Sequence, residues 1–260
     1  METFKYIHDL CGIRERLLQN TTKPSPSWVR ITTITMCSKA LKPLDLAKFR
    51  ENFTPILIRR KGSTHEGFKW VMKNTAFYNQ VTISTEDAYS RKSVKIFPNG
   101  SIQVAGCSHP IDCVRVLKQV AFVCRHVLGT EVEFEPPSIK MINTNFSLNF
   151  SVNLKKVIDA FARRPGFRVT FNPERYSAVK LKFEPGEGMK RVTASIFSTG
   201  RIIVTGAKTL EEIAESYRII NEMIGVDALV KRSEDPELFD NIMGAPFKAW
   251  DDVLIRKNIV

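Results

Sequence analysis

The chain has 260 residues, 43% of them hydrophobic and 25% charged, which excludes a disordered tail and suits one large domain or two modest ones. Thirty-nine basic against 27 acidic side chains leave +12 and a sequence pI near 9.6, a balance that fits a polyanionic partner without demanding one. Five cysteines, at positions 11, 37, 107, 113 and 124, form no CxxC pair and no even framework, so reduced intracellular thiols are expected. No signal-peptide core opens the chain and no apolar run reaches membrane-spanning length, so a soluble protein with no membrane role is expected.

In chain order, residues 1–27 read as an N-terminal extension with an amphipathic helix candidate, "FKYIHDLCGIRERLLQ". "WVRITTITM" alternates as a strand, and "LDLAKFRENF" reads as a short amphipathic helix. The stretch from Ile58 to Asn74 reads as an enlarged loop in which Arg59, Arg60 and Lys61 are solvated or meet a partner. "FYNQVTIS" is the next strand, and "IFPNGSIQVAG" is a hairpin turning at Asn99-Gly100. Ser108 can then cap a long helix whose stripe is Val114, Leu117, Val120, Cys124 and Val127, ending at Gly129. Cys107, His109, Cys113 and Cys124 lie across that turn and helix. Their spacing favours small core hydrophobes over a zinc site, and no metal or other cofactor is expected.

Residues 130–137, "TEVEFEPP", read as a linker, after which the pattern starts again. "IKMINTNFSLNF" is a strand, "NLKKVIDAFARR" a short helix, and "RYSAVKLKF" a strand with Val179, Leu181 and Phe183 on one face. "IFSTGRIIVTG" then repeats the earlier hairpin one hundred positions on, with Phe197 in the place of Phe97. Thr209 and Glu212 form a capping box for a helix striped with Leu210, Ile213, Tyr217, Ile220 and Ile224, and Gly225 ends it. The repeats therefore span 28–129 and 138–226. A C-terminal extension, 227–260, holds Phe239, Phe247 and Trp250. From Asp227 onward there are five basic and seven acidic residues, so the remaining chain carries 12 + 2 = +14.

Alternation sorts the second hairpin by face. Ala194, Ile196, Ile202 and Val204 would pack under helices, whereas Ser195, Phe197, Ile203 and Thr205 would face water beside Tyr176, Lys180 and Lys182. Aromatic tips, branched apolar groups and flanking lysines on an open sheet suit a DNA minor groove; cover by another chain or by the tail is the alternative.

"IFSTGRIIVTGAKTLEE" and "NPERYSAVKLKF" resemble signature stretches of the TATA-box-binding protein family, and the resemblance runs from about Trp28 to Val226. It implies an α+β fold, a pseudo-two-fold saddle of two repeats, each a curved antiparallel sheet with two helices on its convex side. It also implies that Phe97 and Phe197 wedge between base steps, that Tyr176 is a second wedge, and that Tyr78 is its match in the first repeat, with Phe77 adjoining. Ile203 and Thr205 match groove-floor positions, and Lys182 and Arg201 match phosphate contacts beside Lys180. Gln103 and Ala105 stand where the family has valine and threonine. Lys95 and Ser195 replace leucines, and Met141 falls at an asparagine position with Asn143 two residues on. Preference for A·T steps is therefore expected to weaken more than bending.

The implied function is a general transcription-initiation factor that bends promoter DNA, with double-stranded A·T-rich DNA, IIA- and IIB-type factors or their analogues, and RNA polymerase as partners. The setting would be the nucleus or, for a viral homologue, a cytoplasmic virus factory. The alternative is an interaction module of the same fold with weak DNA binding. No catalytic constellation is present: the four histidines are scattered, and "GEGMK" at 186–190 lies between strands.

Overall fold

The computed structural model describes residues 15, 26–59, 66–74, 77, 79–87, 91–107 and 109–237. They form two units, one built from 33–140 and the other from 26–32 with 141–237. Both are α+β, the class read from the sequence.

The first unit follows the order β1 (Arg30–Lys39), α1 (Leu46–Asn52), β2 (Ile56–Arg59), β3 (Glu66–Lys73), β4 (Val81–Asp87), β5 (Arg91–Ile96), β6 (Ser101–Cys107) and α2 (Pro110–Leu128). Its antiparallel strands lie in the order β2-β3-β4-β5-β6-β1. One face of the central strands, carrying Ile83, Val94, Ile96, Ile102 and Val104, is shut off from water. Removing side chains of this size from water stabilises the fold by about 1.5–3 kcal/mol each. The Phe49 and Phe53 rings stack at 5.6 Å, and Lys48 Nζ and Asn52 Nδ2 donate to the last carbonyls of α2 at 2.9 and 3.2 Å. These two bonds serve acceptors that a helix end leaves open.

Three expectations are corrected here. The stretch 58–74 is not simply a loop, because the end of β2 pairs with β3 within it, Ile58 opposite Phe68 and Arg59 opposite Glu66. Trp70 is 0% exposed, so apolar alternation in "GFKWVMK" outweighs the flanking charge run. In α2 the buried stripe is Cys113, Val116, Leu117, Val120, Val123, Cys124 and Leu128, while Val114 faces water. The helix starts at Pro110, and its observed N-cap is His109, whose Nδ1 accepts from Ile111 N at 3.1 Å. The expected cap Ser108 lies outside the described residues, as do Tyr78, Arg60, Lys61, Phe239, Phe247, Trp250 and nearly all of the N-terminal helix candidate.

The second unit contains β7 (Ser138–Ser147), β8 (Phe150–Val152), α3 (Leu154–Ala162), β9 (Arg168–Asn172), β10 (Tyr176–Phe183), β11 (Val192–Phe197), β12 (Arg201–Ala207) and α4 (Leu210–Met223). A short strand, β13 (Leu229–Arg232), pairs with β8, and the main order is β7-β12-β11-β10-β9. Phe146 meets Tyr217 edge-on at 4.8 Å, and Tyr217 donates its hydroxyl to Ser27 O at 2.9 Å. The α4 capping box is present: Thr209 Oγ1 accepts from Glu212 N at 3.1 Å, and Glu212 Oε2 accepts from Thr209 N at 3.2 Å.

Candidate nucleic-acid interface

Each hairpin reverses at a glycine in the left-handed region, Gly100 at φ 82° and Gly200 at φ 80°. Only glycine takes such angles at no steric cost, and Gly200 has a second reason: a Cβ there would sit 1.8 Å from Phe150 O. These turns fix the registers, and the registers decide which side chains share a face.

In the second unit, register places Lys180 opposite Ser195, Ser195 opposite Ile203, and Ile203 opposite Asn145. A second row runs Lys182, Thr193, Thr205. Phe197 lies opposite Ala178, and Arg201 opposite Ser147. Opposed residues in an antiparallel pair point to the same side, so all of these share the face that the helices leave open. The Tyr176 and Phe197 rings meet edge-on at 5.6 Å, and Lys180 Nζ stands 4.4 Å from the centre of the Tyr176 ring. The structure thus brings the two expected wedges of this repeat together and stations a cation over one of them.

In the first unit the corresponding rows are Lys73, Thr82, Lys95, Gln103, Cys37 and Val71, Ser84, Ser93, Ala105, Thr35. Lys95, Gln103 and Ala105 therefore share one face. Phe97 is half-buried beside the hairpin, and Phe77 is exposed. At the outer end of the face Arg91 pairs with Glu86 at 3.0 Å.

Asn143 lies on the open side of β7, two residues from Asn145, while Ile142 and Thr144 are buried behind it. Asn145 was missed from sequence. Extending the alternation by one step from Asn143 would have found it, and its Oδ1 has no hydrogen-bond partner among the described residues. Cys37, opposite Gln103, was missed for the same reason. Glu237, which pairs with Arg201, was missed for a different reason: it carries no local pattern of its own.

Cys107, Cys113 and Cys124 are core groups, whereas Cys37 is half-buried on the open face. Cys107 is held well above the usual thiol range by its hydrogen bond with Cys113 and by burial, and burial alone pushes Cys124 up to about 12. Such thiols are poor metal ligands and poor nucleophiles, both of which need the thiolate. Among the described residues no helix is long and apolar enough to cross a membrane.

The fold and this face define a doubled α+β chain that presents one open, aromatic- and lysine-bearing antiparallel surface per repeat. Residues 136–225 match the family model described as transcription factor TFIID, or TATA-binding protein. A TATA-box-binding protein-like protein of Acanthamoeba polyphaga mimivirus is 27% identical over 177 residues, 57% of this chain and 48% of that protein. The TATA-box-binding protein of Sulfurisphaera tokodaii is 27% identical over 145 residues, covering 55% of this chain and 68% of the archaeal one. The solved Methanococcus jannaschii TBP superposes with a TM-score of 0.51 at 16% identity, over 75% of this chain and 97% of that one, which is a likeness of fold. The chain spans about half the length of the mimivirus relative. The second repeat thus matches the TATA-binding protein family model, and the chain is similar in sequence to viral and archaeal TATA-box-binding proteins and in fold to a solved one.

Proposed function

We propose that this chain is a non-enzymatic transcription-initiation factor that binds promoter DNA in the minor groove, bends it, and presents its helices to other initiation factors and RNA polymerase. The observation that carries the reading is the Tyr176–Phe197 pair on an open sheet face, flanked by Lys180, Lys182 and Arg201. Aromatic wedges unstack a base step at a cost of a few kcal/mol, offset by the groove surface and phosphates that the bent duplex then reaches. In this reading 28–129 and 138–226 each supply one wedge set, and 130–137 joins them. Ile203, Thr205 and Asn143 line the floor in the second repeat. Gln103 and Ala105 line it in the first, with Lys95 beside them. The partners would be factors of the IIA and IIB type or their analogues. The setting would be the nucleus or, for a viral protein, a virus factory.

The polar amide of Gln103 in the first repeat's floor, opposite Cys37, favours a second reading, an interaction module that binds DNA weakly. Energy transfer between dyes on the two ends of a short duplex separates the two. The wild type is expected to bend an A·T-rich duplex, to bend a G·C-rich one less, and to lose the bend when Phe97→Ala and Phe197→Ala are combined. Absence of a bend on every duplex, with partner assembly intact in the double variant, would establish the interaction module instead.

A further inference from the structure

The chain beyond α4 turns back toward the second hairpin. After β13 pairs with β8, Ser233 N donates to Asn149 O at 2.9 Å. Asn149 then grips the backbone of Glu237 at two points. Its Nδ2 donates to Glu237 O at 3.3 Å, and its Oδ1 accepts from Glu237 N at 3.0 Å. Asn149 can do this because its backbone is left-handed, φ 58°, a conformation that asparagine tolerates better than most side chains, and its own N–H is secured on Ser147 Oγ at 3.0 Å. The two-point grip places the Glu237 carboxylate on the Arg201 guanidinium. Arg201 opens β12 on the groove-facing side, and its side chain is 53% exposed against 29% for Glu237.

We infer that residues 233–237 form an acidic strap whose Glu237 carboxylate occupies, in the free protein, the place that a DNA phosphate takes on Arg201, so that duplex and strap compete for one guanidinium. This rests on the minor-groove reading above. A carboxylate and a phosphate offer an arginine fork the same paired oxygen acceptors, which is why one stands in for the other. The strap is well placed for exchange. Its anchor is a pair of backbone bonds to Asn149, while the Arg201–Glu237 contact itself is solvent-facing and of the weak, salt-screened kind. Glu234 and Asp235 lie within the same strap, Glu234 on Lys231 at 2.7 Å, so the segment is acidic along its length. The consequence is a lowered affinity for duplex through this repeat, relieved by anything that lifts the strap, including a cationic partner surface.

The test uses the full chain as wild type, Glu237→Gln, Arg201→Gln and the double variant, titrated onto an A·T-rich duplex across a salt series. Asn149→Gly serves as a second way to free the strap, because glycine keeps the left-handed backbone and removes the grip. Glu237→Gln is expected to bind about fivefold tighter at low salt, the upper range for an exposed pair. Its salt slope should steepen by up to about 0.9, one phosphate contact. Asn149→Gly should shift affinity in the same direction. In the Arg201→Gln background the Glu237→Gln gain should fall below about twofold. An equal gain in both backgrounds would mean general repulsion of DNA and overturn the strap. So would unchanged or weaker binding by Glu237→Gln while the wild type binds well. Failure of all four proteins to bind any duplex would instead sink the minor-groove reading, and the strap's role with it. Binding by Glu237→Gln alone would support both.

Discussion

The two repeats fasten the start of their long helix by opposite means. In the first, Lys92 on β5 and Asp112 on α2 form an ion pair at 3.3 Å with side chains 0% and 1% exposed, and Arg115 reaches the same carboxylate at 2.5 Å. In the second, one hundred positions on, the strand carries fully buried Val192, and the helix carries Glu212. The Glu212 carboxylate accepts from the backbone N–H groups of Lys190 at 2.8 Å, Lys208 at 2.5 Å and Thr209 at 3.2 Å. The backbone plan is the same, but one repeat holds it by charge against charge and the other by charge against N–H dipoles at a helix N-terminus. A buried ion pair is a fragile fastening, since losing one partner leaves the other charged in the interior.

The largest expected effect follows from that asymmetry. Asp112→Ala removes the buried carboxylate that Lys92 and Arg115 share and should cost about 4 kcal/mol in urea unfolding, within the range for breaking buried pairs. Replacing both partners, Lys92→Met with Asp112→Leu, should cost much less than the single change. If the single variant lost under about 1 kcal/mol, the first repeat would not depend on its ion pair and the contrast would collapse.

The hairpins separate the repeats next. Gly100→Ala and Gly200→Ala both force an L side chain into the left-handed region, at about 1–2 kcal/mol each. A Cβ at Gly100 would meet Lys42 O at 2.9 Å, whereas at Gly200 it would meet Phe150 O at 1.8 Å, both backbone atoms that yield little. Gly200→Ala should therefore be the more costly by a further 1–2 kcal/mol or so, read from the difference between the two unfolding midpoints. Equal losses would show that β8 gives way.

Much of this was legible in the sequence because it is written in short-range pattern. The hairpins have their Asn99-Gly100 and Thr199-Gly200 turns, the α4 cap is spelled Thr209 to Glu212, and the open face follows from alternation around Phe197. What escaped depends on pairings between distant residues. Trp70 lies in a strand because it is buried opposite Thr85 and Ile56, and nothing in the neighbouring basic run announces that. Val114 sits on the wet side of α2 because the sheet selects the stripe through Cys113 and Leu117, and the periodicity permits either neighbouring stripe. Asn145 is placed opposite Ile203 on the open face by the β7–β12 register. Glu237 meets Arg201 across 36 residues, in a segment whose composition reads only as an acidic tail.

The smallest expected difference lies in the cysteines, which occur at 11, 37, 107, 113 and 124, so the second repeat has none. Burial raises the Cys124 thiol from 9.0 to about 12. An unfolded chain releases this proton near pH 9, but the folded chain keeps it, so the folded state binds more protons above that pH and stability falls as pH rises. The contribution is fully present below pH 9 and is lost progressively between 9.0 and about 12. At pH 10 the loss from this group amounts to about 1 kcal/mol. It is measured as the drop in urea midpoint from pH 7 to pH 10, less the same drop in Cys124→Ala, whose cavity cost is common to both conditions. An identical drop in the two proteins would mean that lysine and tyrosine titration accounts for the alkaline instability, and that the first repeat's thiols do not distinguish it from the second.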